Sequence, residues 1–319
     1  MREAADPKRL RRLVRFVVVA AMVWSLAIIA AAVAWGGGEF LDPLAAVGPR
    51  LAFATAGAFC VSHLLRFLRW QLMLRSEGHF VPWPRSLSVF LAGLALLPTP
   101  AKAGVAARSY LLLPEGVPVH VSLAAYFVER LLDLVGLVVM ASLLFLGGAP
   151  ATRVALALAI ALAGIAIVAL APRACLALQP RLAGRPGLAR AVDWLVKFFA
   201  DAGHMLSAWR LPAFVAIGLL ANLVTAALLW YALLGTPAPL PLVTATGILG
   251  VSHLSGSASL LPGGMGGFEL AMLGQLALSN VSPAQALVAL ALVRLVTLWG
   301  SVAVGLPLLF AGLRRNDRP

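Results

Sequence analysis

The stretch LLPGGMGGFE, Leu260 to Glu269, places a proline, four glycines and a glutamate inside a run of otherwise apolar chain. Proline lacks an amide donor and clashes with the preceding turn, and glycine loses more backbone freedom on ordering than any other residue, so a helix stops or bends here. What the break is for, and why a carboxylate follows it, decides how the rest of the chain is read.

Composition identifies the solvent. Of the 319 residues 61% are hydrophobic and 12% charged, with a mean hydropathy of +0.96, beyond the apolar content of a soluble domain. The chain reads as an integral membrane protein. Uncharged runs at 16–35, 154–171, 211–234 and 295–313 are of the order of the ~20 helical residues that cross a hydrocarbon core. The fold class is therefore an all-α polytopic membrane protein without barrel strands. The net charge of +13 comes from short basic clusters between apolar runs, which reads as a topology signal and not as a nucleic-acid-binding face. Residues 1–15 carry six basic side chains ahead of a span too long for a signal-peptide core, so an uncleaved first helix is expected. Cys60 and Cys175 lack metal or redox spacing and read as small apolar fillers. No metal or cofactor is expected.

Because cytoplasmic loops collect Lys and Arg, the spans can be oriented. A first helix at 14–35 runs outward, and a second at 49–74 returns, ending in Arg66, Arg69 and Arg75. After a cytoplasmic turn at 77–85, residues 86–97 precede LLPTPAKAG, and about ten more lead to Pro114, so neither arm reaches across ~30 Å. The pair reads as a re-entrant hairpin, tolerated at depth only inside protein or along a water-filled cavity. Spans at 118–147 and 153–172 go out and back. A cytoplasmic linker at 173–210 follows, in which Leu188, Val192, Leu195, Phe199 and Leu206 lie opposite Arg190, Asp193, Lys197, Asp201 and His204. Such an amphipathic helix lies on the membrane interface or packs on its own neighbours. A span at 211–234 leads outward, 240–279 forms a second broken hairpin, and 283–312 returns to a basic tail. This gives about six full spans and two hairpins in one domain, 1–319, with both termini inside. Only Arg50 and Arg153 of 25 basic residues fall outside.

Shifted by 164 residues, LLPTPAKAG falls on LLPGGMGGF, and the alignment runs without a gap to Val138 on Val302, with 13 of 43 positions identical. Leu and Ala matches carry little weight in this composition, but Pro98 with Pro262, Arg130 with Arg294 and Gly136 with Gly300 are harder to dismiss. The repeat halves are 49–172 and 211–313. Three complete spans separate the hairpins, so the copies enter from opposite faces, as in transporters with inverted repeats. Such folds bind near the midplane, where each half-helix points its positive end inward.

Charge in the spans sharpens this expectation. Arg130 and Arg294 sit near the bilayer centre, at a cost of ~2.5–3.5 kcal/mol each, and need partners. Glu129 and Asp133 flank Arg130, while Glu269, the sole acid between Asp201 and Asp317, is the candidate for Arg294. The alternatives are an ion pair that only locks helices, or a Glu269 that only favours its helix N-terminus. Lys102 and Arg108 add positive charge near a helix start and are ligand candidates. Gly263, Gly264 and Gly266 permit unusual φ values and close approach of a ligand; tight hairpin packing explains them equally well. GMGG has neither a following GK[ST] nor a preceding strand, so no nucleotide site is expected. His63, Asn222, Thr225 and the polar run 252–259 weigh less, and Arg66 and Arg69 are expected to snorkel.

LLPGGMGGFE followed by the arginine of ALALVRLVTLW, LLPTPAKAGVAARSY followed by VERLLD, and RFLRW at 66–70 together resemble the lysylphosphatidylglycerol synthase transmembrane-region family of flippase-like proteins. The resemblance implies a bacterial or archaeal inner-membrane protein associated with moving lipids between leaflets. The aminoacyl transferase domain of the family's multidomain members does not follow here, so aminoacyl-lipid synthesis is not expected. Separate lipid-modifying enzymes would be its partners. The expected function is a lipid translocase that binds a polar, anionic head group through Arg130, Arg294 and the half-helix ends, with Glu129, Asp133 and Glu269 holding the arginines or exchanging protons. The rivals are an intramembrane lipid-modifying enzyme using Glu269 or His253, and a non-transporting scaffold for envelope synthesis.

Overall fold

The structure, a computed structural model, describes residues 47–98, 104–145, 159, 163, 166–167, 170–177, 186–207, 209–237, 239–259 and 261–316. The expected first helix at 14–35, most of the span at 153–172 and the tip of the first hairpin with Lys102 lie outside the described residues.

Ten α-helices and no strand occur among the described residues. They are α1 (Pro49–Ser76), α2 (Trp83–Leu94), α3 (Gly104–Leu112), α4 (Val119–Ser142), α5 (Pro186–Met205), α6 (Leu211–Leu233), α7 (Leu242–Ala258), α8 (Gly267–Leu278), α9 (Pro283–Arg294) and α10 (Gly300–Asn316). A π-helical turn, Leu295–Trp299, joins the last two. Among the described residues, three segments are long and apolar enough to cross a membrane: α1, α6 and the continuous Pro283–Arg315. At 1.5 Å per residue the 24-residue α4 also covers ~30 Å, although Glu129, Arg130 and Asp133 interrupt its apolar sequence.

Helix ends follow local chemistry. α1 starts with Pro49 in its first turn and stops at Gly78, whose φ of +78° suits a residue without a β-carbon; there the His79 amide donates back to the Leu74 carbonyl at 3.1 Å, a Schellman closure. α3 and α8 end alike. Gly116 (φ +75°) and Asn280 (φ +59°) turn the chain, and the amides of Val117 and Val281 donate back to Leu112 and Leu276. Gly116 and Asn280 are 164 positions apart, the offset of the sequence repeat, as are the starts of α4 and α9 at Val119 and Pro283.

α2 with α3 and α7 with α8 form the two broken hairpins, and they open toward opposite ends of α4. Arg85, at the start of α2, reaches the Leu111 carbonyl and Glu115 at the end of α3, close in sequence to the start of α4. Near the start of α7, by contrast, a β-carbon on Gly247 would meet Leu144, just past the end of α4. A small apolar cluster joins Ala58 of α1, Leu228 of α6 and Val288 of α9, and two larger apolar cores result. One surrounds the first hairpin and includes Trp70, Phe90, Leu111, Val128 and Leu309 of α10; the other surrounds the second and includes Met140 of α4 with Ile248, Met272 and Val293. α2 packs on α10 and α7 on α4.

The amphipathic segment forms α5, whose polar and aromatic side chains pack on neighbours. Phe198 meets Phe127 of α4 with ring centroids 5.7 Å apart. Asp201 Oδ2 lies 2.6 Å from His120 Nδ1, and His204 Nδ1 lies 3.1 Å from Glu77 Oε1, which ties α5 to α4 and to the end of α1.

Candidate functional site

Between the two cores lies a cavity of about 450 Å³. Its polar wall is built largely from α1 and α4. On α1, Ser62 and Arg66 line it from one face of the helix, and Arg69, further along that face, is buried and does not line the cavity. On α4, Glu129, Arg130 and Asp133 line it. Arg108 of α3, Asn222 and Thr225 of α6, His253 of α7 and Arg294 of α9 complete the wall.

The two carboxylates of α4 organise the arginines. Asp133 accepts from Arg69 Nη2 at 2.7 Å, lies 3.0 Å from Arg130 Nη2 and accepts from Arg66 Nη1 at 3.3 Å. Glu129 lies 3.1 Å from Arg130, 3.5 Å from Arg69 and 3.6 Å from Arg108. Arg66 also donates to the Asn222 side-chain oxygen at 2.6 Å. Several arginines thus crowd two acids, leaving an excess of positive charge on this side of the cavity.

Two glycines make room for these side chains. A β-carbon on Gly218 of α6 would overlap Arg69 Nη1, and one on Gly93 of α2 would overlap Arg108 Nε. Arg108 lies against two aromatic rings, 4.4 Å from the Phe90 centroid and 5.1 Å from that of Trp70, an environment that suits a flat, weakly hydrated cation. Its Nε and Nη1 and the Nε of Arg130 are buried without a hydrogen-bond acceptor among the described residues.

The opening motif forms the opposite wall. Gly263, Gly264 and Gly266 have φ of +65°, +67° and +86°, so the chain turns through left-handed conformations before α8 begins. Glu269 answers for its carboxylate twice. Oε2 accepts the Gly266 amide at 2.7 Å, covering an orphan donor at the helix start, and Oε1 accepts from Arg294 Nε at 2.7 Å. Arg294 then donates to the carbonyls of Gly263 and Gly264 at 3.3 Å each and stands 4.0 Å above the Phe268 ring. One arginine pins the break from both sides. A π-helical turn, a form often found at functional sites, follows it directly.

Of the residues singled out in the sequence, Arg130, Arg294, Glu129, Asp133, Arg108, Gly263 and Gly264 line the cavity, while Glu269 and Gly266 are not among its lining residues. The repeat-related arginines differ: the Arg130 side chain is 38% exposed and the Arg294 side chain 8%. The expectation that Arg69 snorkels is wrong, because its side chain is 0% exposed and held by Asp133. His63, Arg66, Asn222, Thr225 and His253 gain weight as lining residues. Nothing near Arg66 or Arg69 in the sequence reveals this, since their acid lies on another helix. Tyr126, one turn before Arg130 and 5.4 Å below its guanidinium, is a further lining residue the sequence reading passed over; its only signal is that spacing.

A family model described as the lysylphosphatidylglycerol synthase TM region matches residues 18–305, most of the chain. No curated protein matches it.

Proposed function

The chain belongs to the lysylphosphatidylglycerol synthase TM region family, and on that premise we propose that it is a lipid translocase of the cytoplasmic membrane, which admits a polar, anionic head group to the central cavity while the acyl chains stay in the bilayer. The observation that carries this reading is that Arg108 and Arg130 line a cavity of about 450 Å³ where the guanidinium groups outnumber the carboxylates of Glu129 and Asp133 that pair with them. A phosphate group has the charge and the oxygen geometry to accept from them. Arg66 stands beside them, and Arg294 closes the far wall.

The hairpins read as re-entrant and the halves as inverted. In support, the 12-residue α2 and nine-residue α3 are too short to cross ~30 Å, the hairpins open toward opposite ends of α4, and equivalent residues end α3 and α8. Alternating access would then rock one half against the other around the cavity. The basic ends of α1 and α10 would face the cytoplasm. A polar cavity at this depth favours translocation over a packed scaffold. The enzyme reading gains no nucleophile from the Ser301 hydroxyl, which lies 2.8 Å from His63 Nε2 but is buried and does not line the cavity.

Reconstitution tests the proposal. Vesicles holding the protein and a fluorescent phosphatidylglycerol should expose inner-leaflet probe to an aqueous quencher faster than empty vesicles. Arg130→Gln should slow the exchange by ~10-fold, the loss of one charge-assisted hydrogen bond. Exchange no faster than in empty vesicles, across a panel of anionic lipids, overturns it.

A further inference from the structure

A second cavity, of about 480 Å³, lies between α2, the end of α3 and α10. Its lining residues include none of those around the central cavity. The floor is apolar, made by Val89, Leu111 and Leu308, and the mouth carries Arg85, Glu115 and Arg315. Arg85 is held in place, donating from Nε to Glu115 at 2.8 Å and from Nη2 to the Leu111 carbonyl at 3.1 Å. With Arg315 the mouth has two cations to one carboxylate, and Arg314 adjoins it in the chain.

The surroundings set the depth of this groove. Trp83 and Phe80, beside the start of α2, and Trp209, before α6, are exposed, and Arg75 stands 5.7 Å from the Trp83 ring. Exposed aromatic residues among arginines mark the head-group level of a bilayer. Pro307, Phe310 and Ala311 of α10 are also exposed, a face suited to acyl chains. A soluble anion would use the arginines but gain nothing from the apolar floor, and a zwitterionic lipid would gain little from the excess charge. A lipid with a net negative head group uses both.

We propose that this groove is a second lipid site, which takes an anionic phospholipid from the leaflet on the arginine-rich side, its phosphate at Arg85 and Arg315 and one acyl chain along Val89, Leu111 and Leu308. The bound lipid would bridge α2 and α10, elements of the two different halves, and so fasten the first hairpin to the last span. Because the two cavities share no lining residue, the site stands whether or not the central cavity transports lipid.

Photoactivatable phosphatidylglycerol, with the reactive group in its acyl chain, tests this on the full chain in vesicles. Labelling should fall on α2 and α10 peptides of the groove, be competed by unlabelled phosphatidylglycerol but not by phosphatidylcholine or inorganic phosphate, and drop about fivefold in Arg315→Gln, the factor expected for one arginine at an anionic lipid surface. Arg315 is exposed, so its loss leaves folding intact. Ala311→Phe, which fills the groove from the lipid side and keeps both arginines, should remove the labelling on α2. Equal labelling by a phosphatidylcholine probe, undiminished labelling in Arg315→Gln, or displacement by inorganic phosphate alone each overturns the assignment.

Discussion

Gly263 stands against Pro98: a β-carbon built on the glycine would lie 3.6 Å from the proline Cα. Pro98 ends the described part of the first hairpin arm and Gly263 follows Pro262, its counterpart in the repeat. The two helix breaks therefore meet, having come from opposite ends of α4, and the cavity lies beside their meeting point. This meeting supports the proposed inverted pair of hairpins.

Accessibility labelling checks the topology. Single cysteines at His79 and Trp209 should react from the cytoplasmic side, and one at Pro237 from the opposite side. A cysteine at Gly263 should not react from either face as an exposed loop would; free labelling there from one face would remove the midplane site.

Gly264 should tolerate no side chain. Its φ is +67°, and a β-carbon would come within 3.0 Å of the Gly256 backbone, so Gly264→Ala carries conformational strain of ~1–3 kcal/mol and Gly264→Val more. Both should insert but show a lowered thermal midpoint and slower lipid exchange. A valine variant with unchanged midpoint and exchange would deprive the motif of the role assigned to it.

The Arg294–Glu269 pair separates holding from binding. Arg294→Gln alone strands Glu269 and should destabilise by ~3–5 kcal/mol. Adding Glu269→Gln removes the whole pair and should restore much of that stability. If Arg294 only holds the break, the double variant recovers lipid exchange as well; if it meets the head group, exchange stays low in a folded protein. Full recovery of exchange would take Arg294 off the ligand.

Arg69 and Arg130 share Asp133 but should respond differently. Arg69 is enclosed, so Arg69→Gln should lower stability by ~3–5 kcal/mol whatever its effect on exchange. Arg130 is more than a third exposed, so solvent screening leaves Arg130→Gln within ~1 kcal/mol of the parent while exchange of anionic lipid falls. A large loss of stability in Arg130→Gln would make this arginine structural.

The sequence alone determined that the chain is an all-helical membrane protein and located its two breaks, because proline, glycine and charge are costly in lipid and each occurrence therefore carries information. The 164-residue offset paired Arg130 with Arg294, and the two local acid partnerships were legible for simple reasons. Asp133 is one turn from Arg130, and no other acid lies near Glu269 in the sequence. Only the tertiary structure brought Arg66 and Arg69 of α1 to Asp133 of α4, opened Gly218 and Gly93 to admit guanidinium groups, and placed Gly263 against Pro98. These depend on the rotation of each helix about its axis. In water an amphipathic stripe records that rotation, but lipid is as apolar as a protein core, so helices such as α6, apolar around most of their circumference, leave it largely to packing.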